Sequence, residues 1–261
     1  MTMDALDASI PGAVNFRDLG GLRTSDGGAV ATGRLFRAGM THHISDSGLL
    51  ALVRSHGLRT VIDFRAQFEV ERDGLATFSD HAIDFHHLPI QASTSMTPDQ
   101  QKERWELMKS LQLDWAESYR RIVTEKPEVF VRFFELIAND AALPAVFHCA
   151  AGRDRTGIAA ALVLGVLGVP DHLIAADYAR TGSYLQPHLP KFEHQIRSME
   201  SSLEQFGQVL ETTTDPMDRF IGWMRGESGS ISAFVRDMGV DEATVNRTRS
   251  ALLAPPRRPV S

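Results

Sequence analysis

One cysteine, Cys149, stands in 261 residues. No disulfide can form within the chain, and a reducing compartment such as the cytoplasm is the expected setting, with export left open. Long apolar runs are missing too. The longest, Gly157 to Val169, is too short to cross a bilayer, so no stable membrane insertion is expected. Met1 to Ile10 is acidic and has no apolar stretch, so no signal peptide is expected. Excess positive charge is absent: 27 Lys and Arg face 33 Asp and Glu, and the net charge of -6 argues against nucleic-acid or membrane-surface partners. Metal-ligand spacing is lacking as well. His42, His43, His81, His86 and His87 catch the eye, but no cysteine or carboxylate falls at suitable intervals, so no metal or other cofactor is expected. There are no internal repeats.

What is present suffices for a sizeable core. The chain is 43% hydrophobic, which fits a single domain over 1–261, and its oligomeric state is left open. Asn15-Phe16-Arg17-Asp18-Leu19-Gly20-Gly21 reads as a turn with unusual backbone angles, and Ser25-Asp26-Gly27-Gly28 as a hairpin-type turn. Short strands are expected at 34–37, 59–64, 85–90 and 145–147. Helices are expected from a Ser45 or Asp46 cap through Arg54, stopped by Gly57, then near 99–110, 113–124 and, opened by Pro127, 127–138. Residues 91–98 read as a loop. Strands alternating with helices imply an α/β fold with a central, mainly parallel sheet flanked by helices.

Beyond Pro170 the pattern is almost wholly helical. Phe192, Ile196, Met199 and Leu203 recur at helical spacing, as do Met217, Phe220, Ile221 and Met224, with polar residues 211–214 between. The region 183–228 is therefore expected to be a helical hairpin inserted over the core, a lid whose Met217/Phe220/Met224 face is mobile or only moderately buried. Two closing helices follow, near 230–238 and 241–253, and the tail from Pro255 is expected to fray.

Chemistry concentrates in His148-Cys149-Ala150-Ala151-Gly152-Arg153-Asp154-Arg155-Thr156-Gly157, between the apolar strand 145–147 and the apolar helix 158–167. A strand, a tight loop and a helix N-terminus direct several amide N–H groups and the positive end of a helix dipole at one spot, which suits an anion. Ala150, Ala151, Gly152, Arg153, Arg155 and Thr156 are the expected phosphate contacts. Helix N-termini and neighbouring cations favour a thiolate, so Cys149 is read as a nucleophile rather than a structural thiol. A cation in the first turn of a helix opposes the dipole, so Arg155 needs a reason to be there. A bound dianion, clamped by the planar guanidinium, supplies one. Thr156 can donate to the thiolate. His148 either orients the loop or is a core histidine satisfied by a backbone carbonyl. Arg153 is either a second cation that widens acceptance towards multiply charged phosphates or a solvent-exposed side chain.

A leaving oxygen needs a proton, and a carboxylic acid is the usual source. Asp154, inside the loop, is one candidate, with an ion pair or helix cap as its other reading. Asp63, ending the strand Val61-Ile62-Asp63, is the second, with a polar pair to Arg65 as its other reading.

His-Cys, five residues, then Arg-Thr-Gly resembles the signature of the cysteine-dependent protein tyrosine phosphatase superfamily. Asn15 to Gly21, Gly33-Arg34-Leu35-Phe36-Arg37-Ala38-Gly39, Thr60-Val61-Ile62-Asp63-Phe64-Arg65 and Tyr178-Ala179-Arg180-Thr181 are similar to the pattern of its atypical bacterial branch. That resemblance spans about residues 12 to 252. It implies a tyrosine/dual-specificity phosphatase-like fold with a helical lid, Cys149 as nucleophile, Arg155 as phosphate clamp and Asp154 as acid. Position 153 is often lysine in that branch and is arginine here. The implied substrates are phosphorylated proteins or phosphoinositides. A non-catalytic phosphate-binding module is the rival of another class.

Overall fold

Cys149 leaves the middle strand of a five-stranded sheet. In the computed structural model, which describes residues 10–75, 82–90, 98–198 and 200–255, the strands are β1 (Arg17–Asp18), β2 (Leu35–Ala38), β3 (Thr60–Asp63), β4 (Asp84–His87) and β5 (Ala145–His148). Their spatial order is β1-β2-β5-β3-β4. β1 runs antiparallel to β2, and every other pairing is parallel. His148 lies opposite Ala38 on one side and Asp63 on the other. Three strands therefore end at one level, and the loops leaving them converge there, where open α/β sheets bind ligands. The expected α/β class with a mainly parallel sheet is what forms.

Between β2 and β3 lies α1 (Asp46–His56), capped by Ser45, whose hydroxyl accepts from Gly48 N, and closed by Gly57 at φ +63°. α2 (Gln67–Asp73) follows β3. After β4 come α3 (Pro98–Lys109), α4 (Trp115–Glu125), with Asp114 as its cap, and α5 (Pro127–Ile137), with proline at its first position. α6 (Asp154–Val166) follows the Cys149 loop, and α7 (Asp171–Leu185) follows α6. A 3-10 stretch, Gln186–Phe192, leads to α8 (Glu193–Ser198), α9 (Leu203–Leu210), α10 (Asp215–Ser228), α11 (Ile231–Asp237) and α12 (Glu242–Leu252). Among the described residues no helix is long and apolar enough to cross a membrane. Of the loop expected at 91–98, residues 91–97 lie outside the described residues and Pro98 opens α3; of the tail expected from Pro255, only Pro255 is described.

α6 is buried on all sides, because Ile158 to Leu164 is apolar round the whole helix. It packs on β5, α7 and α11. Beneath it Phe64, Phe133 and Phe147 meet with centroids 5.1–6.2 Å apart. Full burial of each such ring contributes about 1.5–3 kcal/mol. The helix that follows the loop is thus held rigidly, and with it the loop's exit.

The expected lid needs correcting. Met217, Phe220, Ile221 and Met224 are all buried in the main core, and α10 packs against α4, α7 and α11. Their spacing identified an apolar face correctly but not its partner, since periodicity is silent about what a face meets. Nor is 192–203 one helix: Phe192 ends the 3-10 stretch, Leu203 is exposed, and Met199 lies outside the described residues. The segment over the Cys149 loop is shorter, 186–210. Leu189, Phe192, Phe206 and Leu210 form a separate apolar cluster there with Val14 and Met40, and Ala151 of the loop and Trp105 of α3 pack against it.

Candidate active site

The loop from Cys149 to Arg153 is shaped by where its carbonyls go. Ala150 O accepts from Met40 N at 2.7 Å. Ala151 O accepts from Asn15 Nδ2 at 3.0 Å, and Gly152 O from the same amide at 3.1 Å and from Arg37 Nη2 at 2.8 Å. With three successive carbonyls bound outward, the alternate faces of those peptides turn inward. Among the described residues none of the N–H groups of Ala150 to Arg153 has a protein acceptor. These donors form the concavity, a nest for an anion. Gly152 is needed for two reasons: its φ is +71°, and a Cβ there would lie 2.5 Å from Ala38 O.

The partners beneath the loop are charged and wholly buried. Arg17, Arg37 and Asp177 are inaccessible or nearly so. Arg17 Nε meets Asp177 Oδ1 at 2.8 Å and Arg37 Nη1 meets Oδ2 at 2.5 Å. Arg17 also donates to Asp177 O, Thr181 Oγ1 and Asn15 Oδ1. Burial alone would raise the Asp177 carboxyl, but Arg17 and Arg37 outweigh it and hold it well below the usual carboxylate range. Burial, and then Arg37 alongside, push Arg17 down to about 10. Two cations face one carboxylate, so the floor of the cradle carries surplus positive charge. The Asn15–Gly21 motif is therefore more than a turn. Asn15, at φ +51°, aims its amide at the loop, while Asp18 accepts from Gly20 N and Gly33 N.

Cys149 is 2% exposed at the start of the loop. Arg155, in the first turn of α6, forms a two-pronged pair with Glu69 of α2, Nη1 to Oε2 at 2.5 Å and Nη2 to Oε1 at 2.9 Å. Glu69 Oε2 also accepts from Ala66 N, which anchors the start of α2. Burial would lower the Arg155 pKa, but Glu69, then Cys149 and Asp154, raise it, so these groups share one electrostatic site. Thr156 Oγ1 is buried and has no described partner. His148 is fully buried. Its Nδ1 lies 3.3 Å from Cys149 O, and burial, opposed by Asp63, lowers its pKa.

The two candidate acids part company. Asp63 is fully buried, and its oxygens take Arg65 Nε at 2.9 and 3.1 Å, Arg65 Nη2 at 2.7 Å and Arg65 N at 2.8 Å. Burial would raise its pKa, but His148 and Arg65 win and lower it, so it stays a carboxylate. This is the polar-pair reading. The proton-donor reading of Asp63 is corrected, because a group held ionised inside a closed pair has no proton to give. Asp154, the first residue of α6, keeps 28% of its side chain exposed. Its Oδ1 accepts from Tyr119 Oη at 2.5 Å and Arg153 Nε at 3.1 Å.

Arg153 is neither solvent-exposed nor an open second cation. Its side chain is 3% exposed, donates to Asp154 and to Val209 O of α9, and lies over the Trp115 ring at 4.0 Å. Of the histidines, His87 Nε2 bonds Arg65 O and the His42 ring lies tilted against that of His43, while His81 lies outside the described residues. Among the described residues no group of three or more potential ligands could hold a metal.

The pattern of the family described as "Tyrosine phosphatase family" matches residues 8–254. The chain belongs to the tyrosine phosphatase family. It is a cysteine-dependent phosphatase. It is 29% identical to the triple specificity protein phosphatase PtpB of Mycobacterium tuberculosis over 279 residues, 94% of this chain and 98% of that protein. It is 26% identical to a tyrosine-protein phosphatase of Nostoc commune over 208 residues, 75% of this chain and 66% of that one. Among solved structures, the core catalytic domain of the PP-IP phosphatase SIW14 from S. cerevisiae aligns with a TM-score of 0.37 and 12% identity, over 58% of this chain and 74% of that one.

Four residues of this tyrosine phosphatase site escaped the sequence reading: Glu69, Tyr119, Trp115 and Asp177. Glu69 carried a faint signal, a glutamate three residues after a helix cap position. Tyr119 sits on the apolar face of an amphipathic helix, where nothing distinguishes it from a core aromatic.

Proposed function

We propose that this chain hydrolyses phosphotyrosine monoesters, with phosphoserine and phosphothreonine as further substrates, through a cysteinyl-phosphate on Cys149. The observation that carries this reading is the row of free N–H donors from Ala150 to Arg153, set between the Cys149 thiol and the Arg155 guanidinium. That arrangement fits a tetrahedral dianion beside a sulfur nucleophile. Sγ, as thiolate, bonds to phosphorus as the ester P–O bond breaks. Asp154 gives its proton to the leaving oxygen. Water then attacks phosphorus, Asp154 takes its proton, the S–P bond breaks, and the thiolate and inorganic phosphate are released. Arg155 exchanges part of its Glu69 pair for equatorial phosphoryl oxygens and holds the charge that develops there. The partnerless Thr156 hydroxyl is suited to stabilising the departing thiolate.

The phosphoinositide alternative leaned on Arg153 as an open second cation, and the engagement of that side chain with Val209 O, Asp154 and Trp115 counts against it. A non-catalytic module has no use for a thiol at the head of the cradle. A cytoplasmic setting goes with the single free thiol.

The test is a pair of variants on a tyrosine phosphopeptide, p-nitrophenyl phosphate and inositol lipids in parallel. Cys149→Ser should lose turnover on every substrate while still binding vanadate or phosphate. Asp154→Asn should lose about 10²–10⁴-fold in kcat where the leaving group is poor. Residual turnover by Cys149→Ser at the wild-type rate sinks the nucleophile assignment. Higher kcat/KM on inositol lipids than on the phosphopeptide overturns the substrate class.

A further inference from the structure

Tyr119 reaches the site from α4, wholly buried, with its ring edge-on to Tyr178 at 6.1 Å and to Phe220 at 5.9 Å. Its hydroxyl lies 2.5 Å from Asp154 Oδ1 and 2.6 Å from Tyr178 Oη. A phenol has one proton to give, and a carboxylate can only accept. The Tyr119 proton therefore points at Asp154, and the Tyr119 oxygen accepts from Tyr178. The chain runs one way, from Tyr178 on α7 through Tyr119 on α4 to Asp154 on α6. Arg153 Nε donates to the same Oδ1, and among the described residues Asp154 Oδ2 receives no donor.

We infer that Tyr119, backed by Tyr178, is a positioning residue for the general acid: it holds Asp154 through Oδ1, so that Oδ2 is the oxygen that carries and delivers the proton. This rests on Asp154 being the acid, as proposed above. When Asp154 is protonated, two donors already occupy Oδ1, which leaves the proton on Oδ2. When that proton moves to the leaving oxygen, the new carboxylate charge is met by donors already in place, with no reorganisation as the charge forms. Tyr119 remains a donor throughout the working pH range. Burial, then the charge of Asp154 and the presence of Tyr178, raise its pKa well above the ordinary tyrosine value. Tyr178 is likewise pushed up to about 12, chiefly by burial.

The fold makes room for this arrangement at Gly157. A Cβ there would sit 2.9 Å from Tyr178 Cδ2, so the last glycine of the loop motif lets the Tyr178 ring lie against the first turn of α6. Tyr178 follows Asp177, the carboxylate that anchors Arg17 and Arg37 under the loop. One turn of α7 thus fixes both the floor of the cradle and the orientation of its acid.

The experiment is Tyr119→Phe, which keeps the ring and removes the hydroxyl, assayed on a series of aryl and alkyl phosphates of increasing leaving-group pKa. The expected result is a kcat loss that grows along the series, from under about threefold for p-nitrophenyl phosphate to about 10–100-fold for an alkyl phosphate, the scale of one hydrogen bond to a charged group. KM should stay within about twofold. In an Asp154→Asn background the same substitution should cost almost nothing more, because the proton it positions is gone. A uniform loss along the series, or a full additional loss on top of Asp154→Asn, overturns the inference. An Asp154→Asn variant whose loss is itself independent of the leaving group overturns the acid assignment instead, so the two failures are distinct. Should Tyr119→Phe not fold, Tyr178→Phe serves as the second variant, with the same leaving-group trend at smaller amplitude, and the absence of that trend is equally decisive.

Discussion

The loop that holds Cys149 has a floor and a roof, and they are built from opposite materials. The floor is Asn15, Arg17, Arg37 and Asp177, buried, polar or charged, and joined by hydrogen bonds to one another and to the carbonyls of Ala151 and Gly152. The roof is 186–210, an apolar cluster of Leu189, Phe192, Phe206 and Leu210 against Met40 and Ala151. Charge-assisted bonds are directional and costly to leave unmade, so they fix where each carbonyl points and hence where each N–H points. Apolar contacts are non-directional, so a roof made of them can shift without stranding a polar group. Geometry is set from below and access from above. Breaking the floor should destroy the site together with the fold, whereas loosening the roof should spare the fold and change what reaches the thiol.

The largest effect follows from removing the floor's only carboxylate. Asp177→Asn leaves Arg17 and Arg37 buried against a neutral amide, and losses on breaking such buried pairs run to about 3–5 kcal/mol. Chemical denaturation should show it, and a variant within about 1 kcal/mol of wild type would mean that the floor is dispensable. The next effect is its pH counterpart. The folded-state pKa of Asp177 lies below its unfolded value of about 3.9, so its contribution is fully present above that pH and fades as pH falls through the folded value. Asp63 and Glu69 are depressed too. Wild-type stability should therefore fall steeply below about pH 4, and the Asp177→Asn curve should fall less steeply without becoming flat. Parallel acid limbs would contradict that assignment.

How far each region was legible depends on the distance between its parts along the chain. The strand, loop and helix around Cys149 are contiguous, so a short apolar run, a glycine and a longer apolar run sufficed to place them. Asp63 was ambiguous because both of its readings were local, and only the closed geometry with Arg65 separates them. Glu69 pairs with Arg155 across 86 positions and Tyr119 meets Asp154 across 35, contacts that no spacing rule reaches. α10 shows the other failure. Its apolar period was read correctly, yet an amphipathic face fits a lid as well as a core until its neighbours are known, and those neighbours proved to be α4, α7 and α11.

A smaller effect is expected in the roof. Leu189→Ala removes a buried side chain from the apolar cluster, and costs for such truncations begin near about 2 kcal/mol. Most of that should appear as local opening rather than global unfolding, so peroxide should inactivate Cys149 faster than in wild type while Tm moves less than for Asp177→Asn. With no second cysteine the oxidised thiol has no partner for an internal disulfide. Equal inactivation rates would show that 186–210 does not control access.

The smallest effect tests the side chain that touches both regions. Arg153 donates upward to Val209 O in the roof and across to Asp154 in the loop, while its plane rests on Trp115. Lysine keeps the charge but not the flat fork, so Arg153→Lys can hold one of those acceptors but not both, and it loses the stacking. The stacking alone is worth about 0.5–2 kcal/mol, so the stability change should be small. The informative readout is the ratio of the two responses. If Arg153 ties the roof to the loop, inactivation by peroxide should quicken by a larger factor than kcat falls, because the floor and the Tyr119 contact still hold Asp154 in place. If kcat falls more than access rises, then Arg153 belongs functionally to the loop alone, and the division between a polar floor that fixes geometry and an apolar roof that governs entry has to be redrawn at α9.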